Sequence, residues 1–375
     1  MKFTIKREIL LEALMKVSKA ISTKNLIPVL AGIKFELKKK KLILTASDND
    51  ITIQTTIEAL KDEDFQIKNE GSIIIQGKYI LDIVRKLPEE YINIEVIDDL
   101  KILIYTENSE FNLNGISESE YPNISLEESK KKIDLDVKTL KSIVYQTSFA
   151  SSNEESKPIL TGINFNIVGD VLECNSTDSY RLARKVVKLN KSSDENYNIV
   201  IPSHNLIEFT KIINDDEEVV QLHIFNNKIL FKIGNLKFES RLINGTYPNT
   251  SNLLPEESLL VINTRLTDLY NVIDRVSILT SDKEKNIVTL ETNGDTLILK
   301  SSSLEIGRVE EKMKINKNNS EDIKISFSAK YMMEALKSFS TEFVDLHFVG
   351  EIKPILIKST EDETLTQLVL PIRTY

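Results

Sequence analysis

Three histidines, His204, His223 and His347, and one cysteine, Cys174, are the residues of this 375-residue chain best suited to metal ligation or nucleophilic chemistry. Metal sites in proteins draw their ligands in close pairs, commonly two to about five residues apart, and no two of these four residues have such a spacing. Asp48-Asn49-Asp50 has the beginnings of an acidic cation loop, but the central glycine and downstream glutamate of a calcium loop are missing. The first of these aspartates recurs at an equivalent point of the chain as Asp178. The expected role is therefore a turn, with the Asp side chain accepting hydrogen bonds from backbone N–H groups ahead of it. No glycine-rich phosphate loop occurs. Cys174 reads as a small apolar strand residue and has no partner for an intramolecular disulfide. No catalytic residue, metal or cofactor is expected, and the chemistry left to the chain is recognition.

The elements that would present a recognition surface come in three copies. Residues 28–51 read PVLAGIKFELKKKKLILTASDNDI and residues 158–181 read PILTGINFNIVGDVLECNSTDSYR. Pro28, Leu30, Gly32, Ile33, Phe35, Leu42 and Asp48 recur as Pro158, Leu160, Gly162, Ile163, Phe165, Leu172 and Asp178, always 130 residues on. A second set covers all three thirds: IIIQGKYILDIVRKL (73–87), IVIPSHNLIEFTKII (199–213) and ISFSAKYMMEALKSF (325–339) align without gaps. Each reads as a strand, a break and a helix whose apolar residues fall at helical spacing, with Ser203 and Ser328 at N-cap positions. Another helix opens each third, over 7–20, 137–150 and 264–280. The remainder is short, β-branched and aliphatic, joined by hairpin turns such as Asp98-Asp99 and Asn226-Asn227. Tyr-Pro-Asn recurs at 121–123 and 247–249, near the ends of the first two units. The fold class is α+β: three units, 1–125, 126–252 and 253–375, each with two helices and antiparallel sheet.

Composition limits what such a surface could meet. Hydrophobic residues make up 41% and charged residues 28%, an ordinary globular balance. No apolar run approaches the roughly 18 residues of a membrane span, and charges interrupt the N-terminal MKFTIKREILLEAL as they would not in a signal peptide. A cytoplasmic protein without a membrane partner is expected. The net charge of −9 argues against nucleic acid only if it is spread evenly, and it is not. The six expected helices carry 13 Lys/Arg against 7 Asp/Glu, a net +6, which leaves −15 for everything else. Basic helices inside an acidic shell suit a protein that encloses DNA, because phosphates are drawn to the helices and repelled elsewhere. Packed helices lie about 8–10 Å apart, so a ring of six leaves a bore of only about 10 Å and a ring of twelve about 30 Å. Duplex DNA is roughly 20 Å across, so one chain is too small to enclose it and two suffice.

With three repeats and basic helices, the chain resembles the beta sliding clamp family, the beta subunit of bacterial DNA polymerase III. The resemblance runs from MKFTI through LIPVLAGI, PILTGINF, TDSYRLA (177–183) and YPN…LLP (247–255) to the terminal LVLPIR (368–373). It implies three DNA-clamp domains per chain and a head-to-tail homodimeric ring, with helices inside and sheets outside. The ring would encircle duplex DNA without regard to sequence and tether the polymerase III catalytic subunit, the clamp loader and other proteins with a clamp-binding motif. By position, the partner-peptide pocket would use Leu160, Thr177, Ser179, Tyr180, Arg181, Leu182, Pro248, Asn252, Leu253, Pro354, Leu368, Leu370, Pro371, Ile372 and Arg373. Arg181 and Arg373 would flank an apolar floor and catch a carboxylate or carbonyl of a peptide of Gln-Leu…Leu-Phe pattern. Ser179-Tyr180 stands where many members have Gly-His, and Asn252 where arginine is common. DNA contacts would fall to Lys24, Lys78, Arg85, Lys138, Lys141 and Lys157, the last in place of the aromatic residues that Pro158 and Ile159 replace. Phe111 and Leu113, with Ile278 and Leu279, match the two halves of the dimer interface.

Two other readings remain at this level. A DNA-processing enzyme would need clustered acidic or histidine ligands. A clamp-like scaffold would bind peptides without encircling DNA, and retention on circular against linear DNA separates it from a ring.

Overall fold

Alternation in the sequence becomes alternation in burial. In Lys2–Lys6 the apolar Phe3 and Ile5 are buried while Lys2, Thr4 and Lys6 stay half exposed, as expected for a strand with one face on a core. The computed structural model describes residues 1–21, 27–61, 63–98, 100–214, 217–255, 257–280, 286–303 and 305–373. Lys24 and Asp99 lie outside them.

Contacts divide the chain into two units, Met1–Val137 with Glu208–Leu242, and Lys138–Ile207 with Ile243–Tyr375. Among the described residues every strand pairing is antiparallel. In the first unit one sheet runs Phe65–Asn69, Lys2–Lys6, Tyr91–Ile97, Lys101–Tyr105, Glu110–Asn114. Its second, eight-stranded sheet runs Ile133–Asp136, Val219–Ile224, Lys228–Ile233, Leu236–Arg241, Ile51–Glu58, Lys41–Ser47, Gly32–Lys38, Gly71–Gln76. In the second unit a nine-stranded sheet runs Tyr197–Pro202, Gly162–Val168, Val171–Thr177, Arg181–Lys188, Leu365–Val369, Ile355–Lys358, Phe343–Phe348, Leu260–Arg265, Asn316–Lys317. A four-stranded sheet there runs Gly307–Lys314, Thr296–Ser303, Ile287–Asn293, Lys324–Ser328.

The large sheets explain why three repeats give two contact units. In each, a strand from the next third of the sequence closes onto the third before it. Leu236–Arg241 pairs with Ile51–Glu58, and Leu365–Val369 pairs with Arg181–Lys188 in the same way. The recurring glycines serve a different pairing, that of two strands within one third. A Cβ on Gly162 would lie 2.5 Å from Val200 Cγ1 and 2.8 Å from the Ile201 carbonyl, and one on Gly32 2.3 Å from Ile74 Cγ2. Both open a strand that follows a 3-10 turn, Pro28–Ala31 or Pro158–Thr161.

Six α-helices occur among the described residues: α1 (Arg7–Val17), α2 (Gly77–Lys86), α3 (Val137–Thr147), α4 (Ser203–Ile212), α5 (Leu266–Ser277) and α6 (Ala329–Lys337). They coincide with the expected helices, less a last turn that is 3-10 after α1 and α3. Each buries one stripe, such as Leu10, Ala13, Leu14 and Val17 in α1 or Leu269, Val272, Ile273 and Val276 in α5. Ser328 caps α6 by accepting from the Tyr331 N–H at 3.5 Å, whereas Ser203 turns its hydroxyl to the Ser148 carbonyl, 3.4 Å away. Cys174 is fully buried, as its strand reading implied.

In the first unit, residues 125–129 are strapped across the strands 219–241. Lys228 and Lys237 donate to the Ser125 and Leu126 carbonyls at 3.0 Å each, and His223 Nδ1 lies 3.0 Å from the Ser129 carbonyl. Glu128 takes Lys232 at 2.7 Å and Lys237 at 3.0 Å. These two ammonium groups hold its carboxyl down at about 2, from an ordinary 4.5. A depressed carboxylate stabilises the fold above its unfolded pKa and loses that contribution as pH falls toward its folded one. Glu128→Gln is therefore expected to lower the urea midpoint near neutral pH and to lose most of that effect as pH falls from about 4.5 to about 2. A pH-independent difference would show that the ion pairs contribute nothing.

Candidate functional site

The second unit brings a turn, a strand pair and the C-terminal segment together at one surface. Between Val171–Thr177 and Arg181–Lys188, Asp178 Oδ1 accepts from the N–H groups of Tyr180 at 2.9 Å and Arg181 at 3.1 Å. This is the turn chemistry expected of the repeated aspartate. Ser179 takes a φ of +78°, a left-handed conformation that raises Tyr180 to the surface, 59% exposed. Thr177 donates its N–H to the Tyr247 hydroxyl at 3.0 Å, which fixes the following Pro248 beside the turn. Tyr247 in turn packs with Leu160 and Val200 in one apolar cluster. On the other wall Leu182 pairs with Leu368, and Leu368 with Leu356. Leu370 donates its N–H to the Tyr180 carbonyl at 2.9 Å, and Ile372 donates to the Ser326 carbonyl at 2.7 Å. Because Ile355 is opposite Val369, the preceding Pro354 falls beside Leu370.

These bonds bring Leu160, Thr177, Ser179, Tyr180, Leu182, Pro248, Pro354, Leu368, Leu370, Pro371 and Ile372 together, but not in one role. Leu182 and Leu368 are 1% and 2% exposed, and Leu160 is buried too, so they form the support beneath this surface. The apolar surface open to a ligand is Tyr180 with half-buried Pro354, Leu370, Pro371 and Ile372. Asn252 and Leu253 stand in the exposed 3-10 turn Ser251–Leu253, with Leu253 44% exposed. Arg373 is exposed at the end of the described chain.

Arg181 departs from the expectation. Its guanidinium does not stand free to meet a ligand carboxylate. It is buried, with Nε on Asp178 Oδ2 at 3.0 Å and Nη1 on Glu334 Oε2. Its cation lies 4.5 Å from the Tyr331 ring centre and 5.3 Å from that of Phe149. A buried cation needs this much compensation, since two carboxylates and two ring faces replace its water. Tyr180 stacks on Tyr331 at 6.3 Å, extending the pile to the surface. Phe149, Tyr331 and Glu334 carry no signal in the sequence that ties them to TDSYRLA, because the ring faces and carboxylate come from other elements.

The expected DNA contacts are spread over separate elements. Lys78 on α2, Lys138 on α3 and Lys157 before the 3-10 turn are exposed, with no carboxylate within ion-pair distance among the described residues. Arg85 shares α2 with Asp82, 3.6 Å away, and Lys141 is half-buried on α3. Phe111 and Leu113 lie on Glu110–Asn114, an edge strand, in the row that faces buried Ile104 and Ile102. In the other unit Ile278 caps α5 and is 72% exposed, with half-buried Leu279 next to it. One edge strand of the four-stranded sheet in that unit is Gly307–Lys314.

Three family models match the chain in order: the N-terminal domain of the DNA polymerase III beta subunit over residues 1–125, the central domain over 134–249 and the C-terminal domain over 251–373. Beta sliding clamps of Staphylococcus epidermidis and Staphylococcus aureus are each 40% identical to it over the full length of both chains. The crystal structure of a DNA polymerase sliding clamp from Bacillus subtilis superposes with a TM-score of 0.96 at 38% identity, covering 100% of both chains. That of a DNA polymerase III beta chain from Streptococcus pneumoniae superposes at 0.95 with 32% identity and the same coverage.

Proposed function

The chain belongs to the DNA polymerase III beta subunit family, the beta sliding clamps, and from that premise we propose that two copies close head to tail into a ring around duplex DNA. It is a DNA polymerase processivity factor: its work is to keep a polymerase on the template, not to react with it. The ring would hold DNA by topology in the cytoplasm. The cleft of the second unit would hold the polymerase III catalytic subunit, the clamp loader and other proteins carrying a short apolar motif, one at a time per chain. The observation that supports this most is the repeat: the same strand–turn–helix unit three times, with the basic charge collected on the helices and the acidic charge outside them. Ring closure around DNA is tested by loading the protein on nicked circular duplex. Retention on the circle and loss on linearisation is expected. Equal retention on both would leave a scaffold that does not encircle DNA.

A ring that slides must touch phosphates and leave base edges unread. Direct affinity for a labelled duplex is expected to fall steeply with salt and to show no sequence preference. The Lys78→Ala and Lys138→Ala changes should each flatten the log–log salt slope by about one unit per DNA-bound copy. A consensus sequence, or a slope unchanged in both variants, would exclude these contacts.

A further inference from the structure

The device that builds the peptide cleft is built twice. In the first unit Asp48 Oδ1 accepts from the N–H groups of Asp50 at 3.0 Å and Ile51 at 2.9 Å, as Asp178 does for Tyr180 and Arg181. Asn49 has a φ of +79° where Ser179 has +78°. The Arg241 N–H donates to the Asp50 carbonyl at 2.9 Å, the same bond that Leu370 makes to Tyr180. Tyr121-Pro122 stands for Tyr247-Pro248, with both tyrosines buried, and Leu30 stands for Leu160. An open pocket of about 370 Å³ lies here, with Leu30, Asp50, Thr52, Lys228, Glu239 and Arg241 in its lining.

What differs is the chemistry of the walls. The cross-strand pair Leu182·Leu368 becomes Thr52·Glu239, with Glu239 held by Lys228 at 2.7 Å. Tyr180 becomes Asp50, Leu370 becomes Arg241 and Leu253 becomes Glu127. An apolar anchor laid over this floor would strip water from a carboxylate, an ammonium and a guanidinium while giving none of them a partner in return. We propose that the residues at these matched positions decide which of two equivalent clefts accepts an apolar partner peptide. The first unit keeps the groove, and Asp50, Thr52, Glu239 and Arg241 exclude the peptide from it, so that each chain offers one site. This rests on the cleft of the second unit being the peptide site.

The test is calorimetric titration with a peptide of Gln-Leu…Leu-Phe pattern. The wild-type chain should bind one peptide. A chain carrying Asp50→Tyr, Thr52→Leu, Glu127→Leu, Glu239→Leu and Arg241→Leu, with Lys228→Met to remove the stranded cation, should bind two. Adding Leu253→Asp to that chain should return the count to one, whereas Leu253→Asp alone should give none. A grafted chain that melts like wild type and still binds one peptide would overturn the proposal. If the graft does not fold, the reverse exchange decides. Tyr180→Asp with Leu370→Arg, neither fully buried, should weaken binding at least a hundredfold, and unchanged affinity would overturn the proposal. Amide hydrogen exchange on the wild-type chain at saturating peptide supplies a further check. Protection is expected at 180–182 and 368–370, and protection at 50–52 and 239–241 as well would also overturn it. No peptide binding by wild type, or protection at neither cleft, would instead remove the pocket reading on which it rests.

Discussion

A chain ending at Leu370 is expected to bind a Gln-Leu…Leu-Phe peptide about a thousandfold more weakly than the full chain. Pro371 and Ile372 are half-buried and would complete one wall of the proposed cleft, and the Ile372 N–H bonds to the Ser326 carbonyl. Proline stiffens the wall, so little ordering entropy opposes binding. A peptide leucine or phenylalanine that loses its wall behaves as a truncated anchor. Anchors of this kind are worth about 2 kcal/mol or more each, and two of them amount to about three orders of magnitude in Kd. Leu253→Ala and Tyr180→Ala should each weaken binding in the same direction by about tenfold or more. Both side chains are well exposed, so their loss leaves folding unchanged, which a melting curve checks. Leu182 is the wrong residue for this purpose. At 1% exposure, a charge placed there would be buried without a partner and would unfold the second unit. Wild-type affinity in the truncated chain would place the pocket elsewhere.

Sedimentation of the wild-type protein at micromolar concentration is expected to show a dimer of about 85 kDa, twice the 42.7 kDa chain. The double change Ile278→Ala and Leu279→Ala should convert it to monomer. Ile278 is 72% exposed at the end of α5, an unusual place for a large aliphatic side chain unless something covers it. Phe111 and Leu113 offer an apolar row on an edge strand, the kind of surface that pairs with a second chain. Covering such a side chain contributes about 1.5–3 kcal/mol. A head-to-tail ring of two copies contains the interface twice, so the loss doubles to about 3–6 kcal/mol, roughly two to four orders of magnitude in the dimer dissociation constant. The isolated chain loses little by the change, so its melting temperature as a monomer should be preserved. A wild-type monomer at micromolar concentration, or a variant dimer as tight as wild type, would exclude this interface.

Much of this molecule is legible in the order of its residues. The 130-residue repeat places Gly32 and Gly162, Leu30 and Leu160, and the turn-forming Asp48 and Asp178 at equivalent points, and each pair does one job in the fold. Helical and strand periodicity locates the six helices found among the described residues and the apolar face of each, because periodicity is a property of the element itself. The uneven charge is equally local, since it needs only the assignment of a residue to helix or strand.

Burial by distant elements was decided elsewhere. Arg181 reads as a pocket cation until Glu334, Tyr331 and Phe149 arrive from other elements and enclose it. Leu182, Leu253, Leu368 and Leu370 look alike in sequence, yet pairing of the C-terminal strand with Arg181–Lys188 makes Leu182 and Leu368 the support and leaves Leu370 half open, while Leu253 stays exposed on its 3-10 turn. The closing of each large sheet by a strand of the following third is likewise absent from any local pattern. A residue's neighbours along the chain fix which way its side chain points. They do not fix which strand or helix, some 150 to 190 residues away, will cover it, because that depends on the competition among all possible non-local pairings and only the folded chain resolves it.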